Sequence, residues 1–137
     1  MSAKLDHVNI TVRNLEESIE WYKRIFGFEK LEGGISELGK KWAIVGFEDS
    51  MIAMSEHAQR SPAIKLAGDA HRIYHFGLRI PDANEWRLKV RLNNLKLKYG
   101  GEVEYPFSRS WYIQDPSGHE IEVSCTNGLP LQFPVAE

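Results

Sequence analysis

The chain has 137 residues, with 17 Lys and Arg against 19 Asp and Glu, a formal net charge of −2. That balance leaves no basic stripe for nucleic acid, and the length suits one domain that buries roughly two-thirds of its unfolded surface. One cysteine, Cys125, allows no intrachain disulfide and points to a reducing compartment, while no apolar run approaches the ~20 residues that span a bilayer.

Met1 to Asp6 lead into the first strand without the apolar core of a signal peptide. The expectation is a soluble, cytoplasmic protein with neither nucleic-acid nor membrane partners. Leu5 to Val12 then alternates, with His7, Asn9 and Thr11 on one face and Val8, Ile10 and Val12 on the other. This is the pattern of a half-buried strand with a polar face turned toward a cavity. Asn14 is placed as the N-cap of a helix, and Glu17 is placed to complete a capping box. Ile19, Tyr22 and Phe26 carry an apolar stripe, and Gly27 stops the helix. Three strands are predicted next, about Phe28–Glu32, Lys41–Phe47 and Ser50–Ser55. Gly33-Gly34 and Glu48-Asp49 mark the turns.

Residues 57–71 are polar and contain Pro62 and Gly68. They read as a linker between a first module, about 4–56, and a second, about 72–125. In the second module a strand is predicted over Arg72–Ile80, with Pro81-Asp82 as turn and helix start. A helix runs from Asn84 to about Tyr99, ended by Gly100-Gly101. Strands follow over Glu102–Tyr105, Ser110–Gln114 and Glu120–Cys125, with a turn at Asp115-Pro116-Ser117-Gly118. Residues 126–137, with Pro130 and Pro134, form a tail. The element order is βαβββ twice, an α+β arrangement.

The two halves repeat one another in sequence. Trp42-Ala43-Ile44 lies over Trp111-Tyr112-Ile113, and Ile52-Ala53-Met54 over Ile121-Glu122-Val123, both at an offset of 69. His7-Val8-Asn9-Ile10 lies over His75-Phe76-Gly77-Leu78 at an offset of 68. Each half of about 65 residues is too small to be comfortable alone, so the halves are expected to share a core or to swap with another copy. Each opens on a strand-borne histidine, and only the second closes on a strand-borne glutamate, where the first has Ala53. Alternation sets His7, His75 and Glu122 on polar faces, while Val8, Phe76, Leu78, Ile121 and Val123 point the other way. Two amphipathic helices are available to cover the apolar sides. Two histidines and one carboxylate make a three-ligand metal site with open positions.

Other residues share those faces. Asn9 stands beside His7, and Arg79 shares the face of His75, where a guanidinium suits an anionic substrate. Glu120 shares the face of Glu122 and reads as nearer the rim. Tyr112 is on the inward face of its strand with Ser110 and Gln114. Trp42 and Trp111 read as core residues facing the helices.

The segments "LDHVNITVRNLEESIEWYKRIFGF" and "RSWYIQDPSGHEIEVS", with the repeat, resemble the vicinal oxygen chelate superfamily. That group includes glyoxalase I, fosfomycin-resistance proteins, extradiol dioxygenases, methylmalonyl-CoA epimerase and bleomycin-resistance proteins. The resemblance covers about residues 5–125. It implies paired βαβββ modules forming a cupped mixed sheet, helices on its outer face, and a divalent metal held by His7, His75 and Glu122. It also implies a homodimer. Glyoxalases and epimerases of the group usually carry a fourth ligand where this chain has Ala53, and Glu56 is the nearby carboxylate that competes for that role. Extradiol dioxygenases and fosfomycin transferases have a tyrosine at the place of Tyr112, near the metal. In extradiol dioxygenases a histidine in the region of His57 is the acid–base catalyst.

The expected reaction follows from these residues. The base of a glyoxalase-type isomerase is missing at Ala53. A fosfomycin-type transferase needs a cationic cradle, and Arg109, Arg79 and Lys65 form no clear cluster. An extradiol-type dioxygenase needs the three ligands, Tyr112 and a base such as His57, and all are present. Bleomycin-binding members usually lack the ligands that this chain keeps. The expectation is therefore a metal-dependent enzyme whose small-molecule substrate chelates the metal through adjacent oxygens, tilted toward dioxygenase chemistry. Fe(II) or Mn(II) is favoured, and Zn(II), Ni(II) or Co(II) also suit the donor set.

Overall fold

The computed structural model describes residues 1–57 and 73–126. They form two compact units, residues 1–57 with Asp115–Gly118, and residues 73–114 with 119–126. Most of the expected linker, with Pro62, Lys65 and Gly68, lies outside the described residues, as does nearly all of the tail.

The first unit is a βαβββ module. Its elements are β1 (His7–Val12), α1 (Leu15–Phe26), β2 (Glu29–Ile35), β3 (Lys41–Phe47) and β4 (Ser50–Glu56). The sheet order is β1-β4-β3-β2, with β1 parallel to β4 and the other pairs antiparallel. The parallel pair needs a crossover, and α1 lies within that crossover. Asn14 caps α1 as expected, its Oδ1 accepting from the Glu17 N–H at 2.9 Å. Gly27 ends it in the left-handed region at φ 71°, where an L side chain is strained. Tyr22 and Ile25 of α1 are buried, as are Ile10, Val12, Val45, Ile52 and Met54 of the sheet. Tyr22 donates its hydroxyl to Asp115 Oδ2 at 2.8 Å. Burial, together with that carboxylate, pushes the phenol pKa up.

The expected turn at Gly33-Gly34 is instead part of β2, paired with Ala43 and Trp42. The Trp42 indole explains the glycine, since a Cβ on Gly34 would come within 3.3 Å of its Nε1. The turn falls later, where Gly39 takes φ 77° and its N–H bonds to Ser36 O at 2.9 Å.

The second unit contains β5 (Phe76–Arg79), α2 (Ala83–Leu92), β6 (Val103–Glu104), β7 (Ser108–Gln114) and β8 (Glu120–Thr126). Its sheet order, β5-β8-β7-β6, repeats that of the first unit. β5 is parallel to β8 and the other pairs are antiparallel. Asp82 caps α2, accepting from the Glu85 N–H at 2.9 Å. The helix ends at Leu92, well before the expected Tyr99. The Asn93 side chain donates to Lys89 O at 2.9 Å, and Asn94 enters the left-handed region at φ 50°. Asparagine competes for helix carbonyls in this way and tolerates that conformation.

The gapless repeat fails in one strand pair. Ala53 stands across from Ile44, but its counterpart Glu122 stands across from Tyr112. In register, Tyr112 therefore matches Ile44 and Trp111 matches Ala43, one residue out of step with the sequence alignment. The cause is turn length, because two residues join β3 to β4 and five join β7 to β8. Trp111 faces the core, 1% exposed, with the Arg87 guanidinium 5.7 Å from its ring centroid. Trp42 lies on the opposite face of its sheet, across from Ser55 and on the side of Ala53, so it is not the core residue that its sequence partner is.

Candidate metal centre and aromatic pocket

In the second unit β8 runs between β5 and β7, and its alternation turns Ile121 and Val123 into the core, both fully buried. Glu120, Glu122 and Ser124 therefore share the other face. His75, just before β5, reaches this face with both ring nitrogens. Nε2 is 3.0 Å from Glu122 Oε1, and Nδ1 is 3.5 Å from Glu120 Oε2. The other Glu122 oxygen accepts from the Ser110 hydroxyl at 2.8 Å. The His75 and Tyr112 rings meet edge to face, their centroids 5.7 Å apart.

Glu120 is not the rim residue that the sequence suggested. Its side chain is 15% exposed against 23% for Glu122. Its Oε1 accepts from Lys98 Nζ and from the Tyr99 hydroxyl, each at 2.9 Å. Burial opposes the charge on Glu120, but these two donors outweigh it and hold the carboxyl below its usual pKa range. The same contact raises the pKa of Lys98 and of Tyr99.

A cavity of about 430 Å³ opens beside His75, walled by Tyr74, Tyr99, Tyr105, Tyr112, Val103 and Glu120. The Tyr105 and Tyr112 hydroxyls are 2.7 Å apart, and the Tyr99 and Tyr112 rings meet edge to face at 5.1 Å. Burial first, then the Tyr105 hydrogen bond and the Glu122 charge, push the Tyr112 phenol pKa well up. Tyr112 is thus a neutral donor at any physiological pH. Alternation and the family resemblance together pointed to Tyr112. Tyr99 and Tyr105 lie beyond the reach of alternation, because Tyr99 is in a loop and Tyr105 just past the two-residue β6.

The first unit places the remaining candidates. His7 begins β1, about half exposed, with Nδ1 2.7 Å from Asp6 Oδ2. Asn9 is exposed and stands beside Ala53 on the parallel ladder. The His57 Nε2 lies 3.1 Å from Lys40 Nζ, and its backbone N–H bonds to Val12 O at 2.8 Å. Glu56 is engaged by the helix, its Oε2 accepting from the Leu15 N–H at 2.9 Å. In the second unit, Arg79 is exposed at the end of β5, across from Ser124. Within each unit, the described residues gather no group of three or more His, Cys, Asp or Glu around one point. His75 and Glu122 supply two of the three expected donors, and His7 belongs to the other unit.

The pair fits a divalent cation. Two donors each about 2.1 Å from one ion, at right angles, are about 3 Å apart, which is the His75–Glu122 separation. An imidazole and a carboxylate are donors that Mn(II), Fe(II) and Zn(II) all accept.

Comparison with known proteins agrees with this architecture. The family model described as Glyoxalase/Bleomycin resistance protein/Dioxygenase superfamily matches residues 4–123. A catechol-2,3-dioxygenase from Bacillus subtilis (strain 168) is 26% identical over 87% of the chain, which spans only 40% of that relative's length. Metallothiol transferase FosB from Staphylococcus epidermidis is 25% identical over 87% of the chain and 79% of its own length. Among solved structures, the fosfomycin resistance protein FosX from Listeria monocytogenes, complexed with Mn(II) and sulfate, superposes with a TM-score of 0.66. It is 18% identical, with 91% of this chain and 93% of that one covered.

Proposed function

The chain belongs to the Glyoxalase/Bleomycin resistance protein/Dioxygenase superfamily, and on that premise we propose that it is a metal-dependent enzyme for a small substrate that chelates through adjacent oxygens, with extradiol-type dioxygenation as its reaction. The observation that carries this reading is the His75–Glu122 pair, 3.0 Å apart, with His75 itself lining a tyrosine-walled cavity.

His75 and Glu122 would hold the cation, and His7 is the third ligand expected from the sequence. Fe(II) or Mn(II) is the preferred occupant. When bound, such an ion supplies Lewis acidity and a template for two adjacent substrate oxygens. The chain's own residues do the rest. Tyr112 donates a hydrogen bond to a substrate oxygen, and its raised pKa keeps the proton in place. His57, whose Nε2 lies beside Lys40 Nζ, is the proposed proton acceptor for the substrate hydroxyl. Asn9 on β1 and Arg79 on β5 are the proposed substrate-contacting residues. The ring faces of Tyr74, Tyr99 and Tyr105 suit a flat aromatic substrate, because offset and edge-to-face contacts favour such pairs. We place the enzyme in the cytoplasm as a homodimer, with no nucleic-acid or membrane partner. Among the described residues no helix is long and apolar enough to cross a membrane.

Catechol chemistry is preferred over phosphonate chemistry because, among the described residues, no lysine or arginine lines the cavity. Lys98 is paired with Glu120. A fosfomycin-type transferase is the second reading, favoured by the match to FosB over most of that protein. The test is oxygen consumption by Fe(II)- or Mn(II)-loaded protein, prepared anaerobically, against a panel of catechols. Uptake supports the dioxygenase. No uptake, with thiol transfer to fosfomycin, replaces it by the transferase.

A further inference from the structure

We propose that Glu120 is the positioning residue of His75, its carboxylate, 3.5 Å from Nδ1, fixing which ring nitrogen is offered to the metal. This rests on the reading of His75 and Glu122 as ligands.

The geometry sorts the two nitrogens. Nε2 points to Glu122 and Nδ1 to Glu120. A ligating histidine uses one nitrogen for the metal and keeps a proton on the other. A carboxylate at the protonated nitrogen fixes ring orientation and strengthens the donor. Glu120 is placed for this, since Oε2 faces Nδ1 while Oε1 is tied to Lys98 and Tyr99. One carboxylate thus links a loop after α2 to a histidine before β5. β8 holds the Glu120 backbone, with Gln114 across the ladder, and Lys98 and Tyr99 hold its carboxylate. Lys98 is itself tethered, its backbone N–H bonding to Tyr112 O at 2.9 Å. The effect of Glu120 passes through the imidazole.

The experiment is a Mn(II) titration of the wild type, Glu120→Ala, Glu120→Gln and Lys98→Met, each checked for native circular dichroism. The expected order of affinity is wild type, then Glu120→Gln, then Glu120→Ala, the last weakened by about 10- to 100-fold. Gln keeps an acceptor for Nδ1–H without the charge, so it rescues in part. Lys98→Met leaves the carboxylate but frees it, and a smaller loss is expected. If Glu120→Ala does not fold, the order of the other three decides. In Zn(II)-loaded protein, the His75 Nδ1 proton should be visible by nitrogen-correlated NMR in the wild type and exchange-broadened without Glu120. Wild-type affinity in all variants, with an unchanged Nδ1 signal, overturns the role of Glu120 alone. A wild type that binds no Mn(II) overturns the ligand reading and this role with it.

Discussion

Tyr112 stands directly across the β7–β8 ladder from Glu122. Cross-strand partners in an antiparallel pair put their side chains on the same face within about 5 Å. The phenol is therefore fixed beside the carboxylate by backbone pairing, and it also meets the Tyr105 hydroxyl at 2.7 Å.

This placement predicts a separation of effects. Tyr112→Phe should leave Mn(II) affinity within about threefold of the wild type, yet lower turnover of an accepted catechol by about 10²–10³-fold, as loss of one positioned donor does. Steady-state kinetics beside a metal titration checks both. Because the Tyr112 pKa is raised, activity should show no alkaline loss from its ionisation below about pH 10. Unchanged turnover in the variant would remove Tyr112 from the reaction.

Tyr22→Phe probes the first unit. The buried Tyr22 hydroxyl donates to Asp115, itself 5% exposed. Removing the donor leaves a buried carboxylate short of one partner, which costs about 1–3 kcal/mol. Urea unfolding should show this as a lower midpoint with an unchanged slope.

Trp111→Ala should destabilise strongly, by about 3–5 kcal/mol, because the side chain is fully buried in the core. Trp42→Ala should cost much less, since Trp42 is only half-buried and on the other sheet face. Equal losses would contradict the register assigned to β3 and β7.

Glu102 tests acid linkage. Its hydrogen bond from Arg87 lowers its carboxyl pKa. A depressed folded-state pKa adds stability above the unfolded value, about 4.3, and that stability is lost as the pH falls through the folded value. Glu102→Gln should therefore be less stable than the wild type at about pH 7, and the difference should shrink as the pH falls below about 4.3. The pair is over a third exposed, so solvent screening keeps the effect small. Denaturation midpoints at about pH 7 and below about pH 4.3 measure it.

Much of the fold was legible because its signals are local. Asn14, Gly27 and Asp82 act on their own helix ends, and strand alternation in Leu5–Val12 and Glu120–Cys125 sorted core from polar face. What escaped depended on geometry between elements. Gly33 and Gly34 look like a turn until the Lys30 side chain is seen against Gly33 and the Trp42 indole against Gly34. Two asparagines ended α2 where the glycines farther on looked stronger. Turn lengths shifted the repeat by one residue, which no similarity of Trp42 to Trp111 reveals. For the site, alternation put Glu120 and Glu122 on one face, but the anchoring of Glu120 by Lys98 and Tyr99 joins residues some twenty positions apart and carries no sequence pattern.

The most direct measurement is metal content after loading with Mn(II) or Fe(II) under anaerobic conditions and desalting, for the wild type, His75→Ala and Glu122→Ala. The wild type should retain metal in stoichiometric amount, and each variant should lose nearly all of it while keeping native circular dichroism. Stoichiometric metal in Glu122→Ala would contradict the ligand set and, with it, the chemistry built on it.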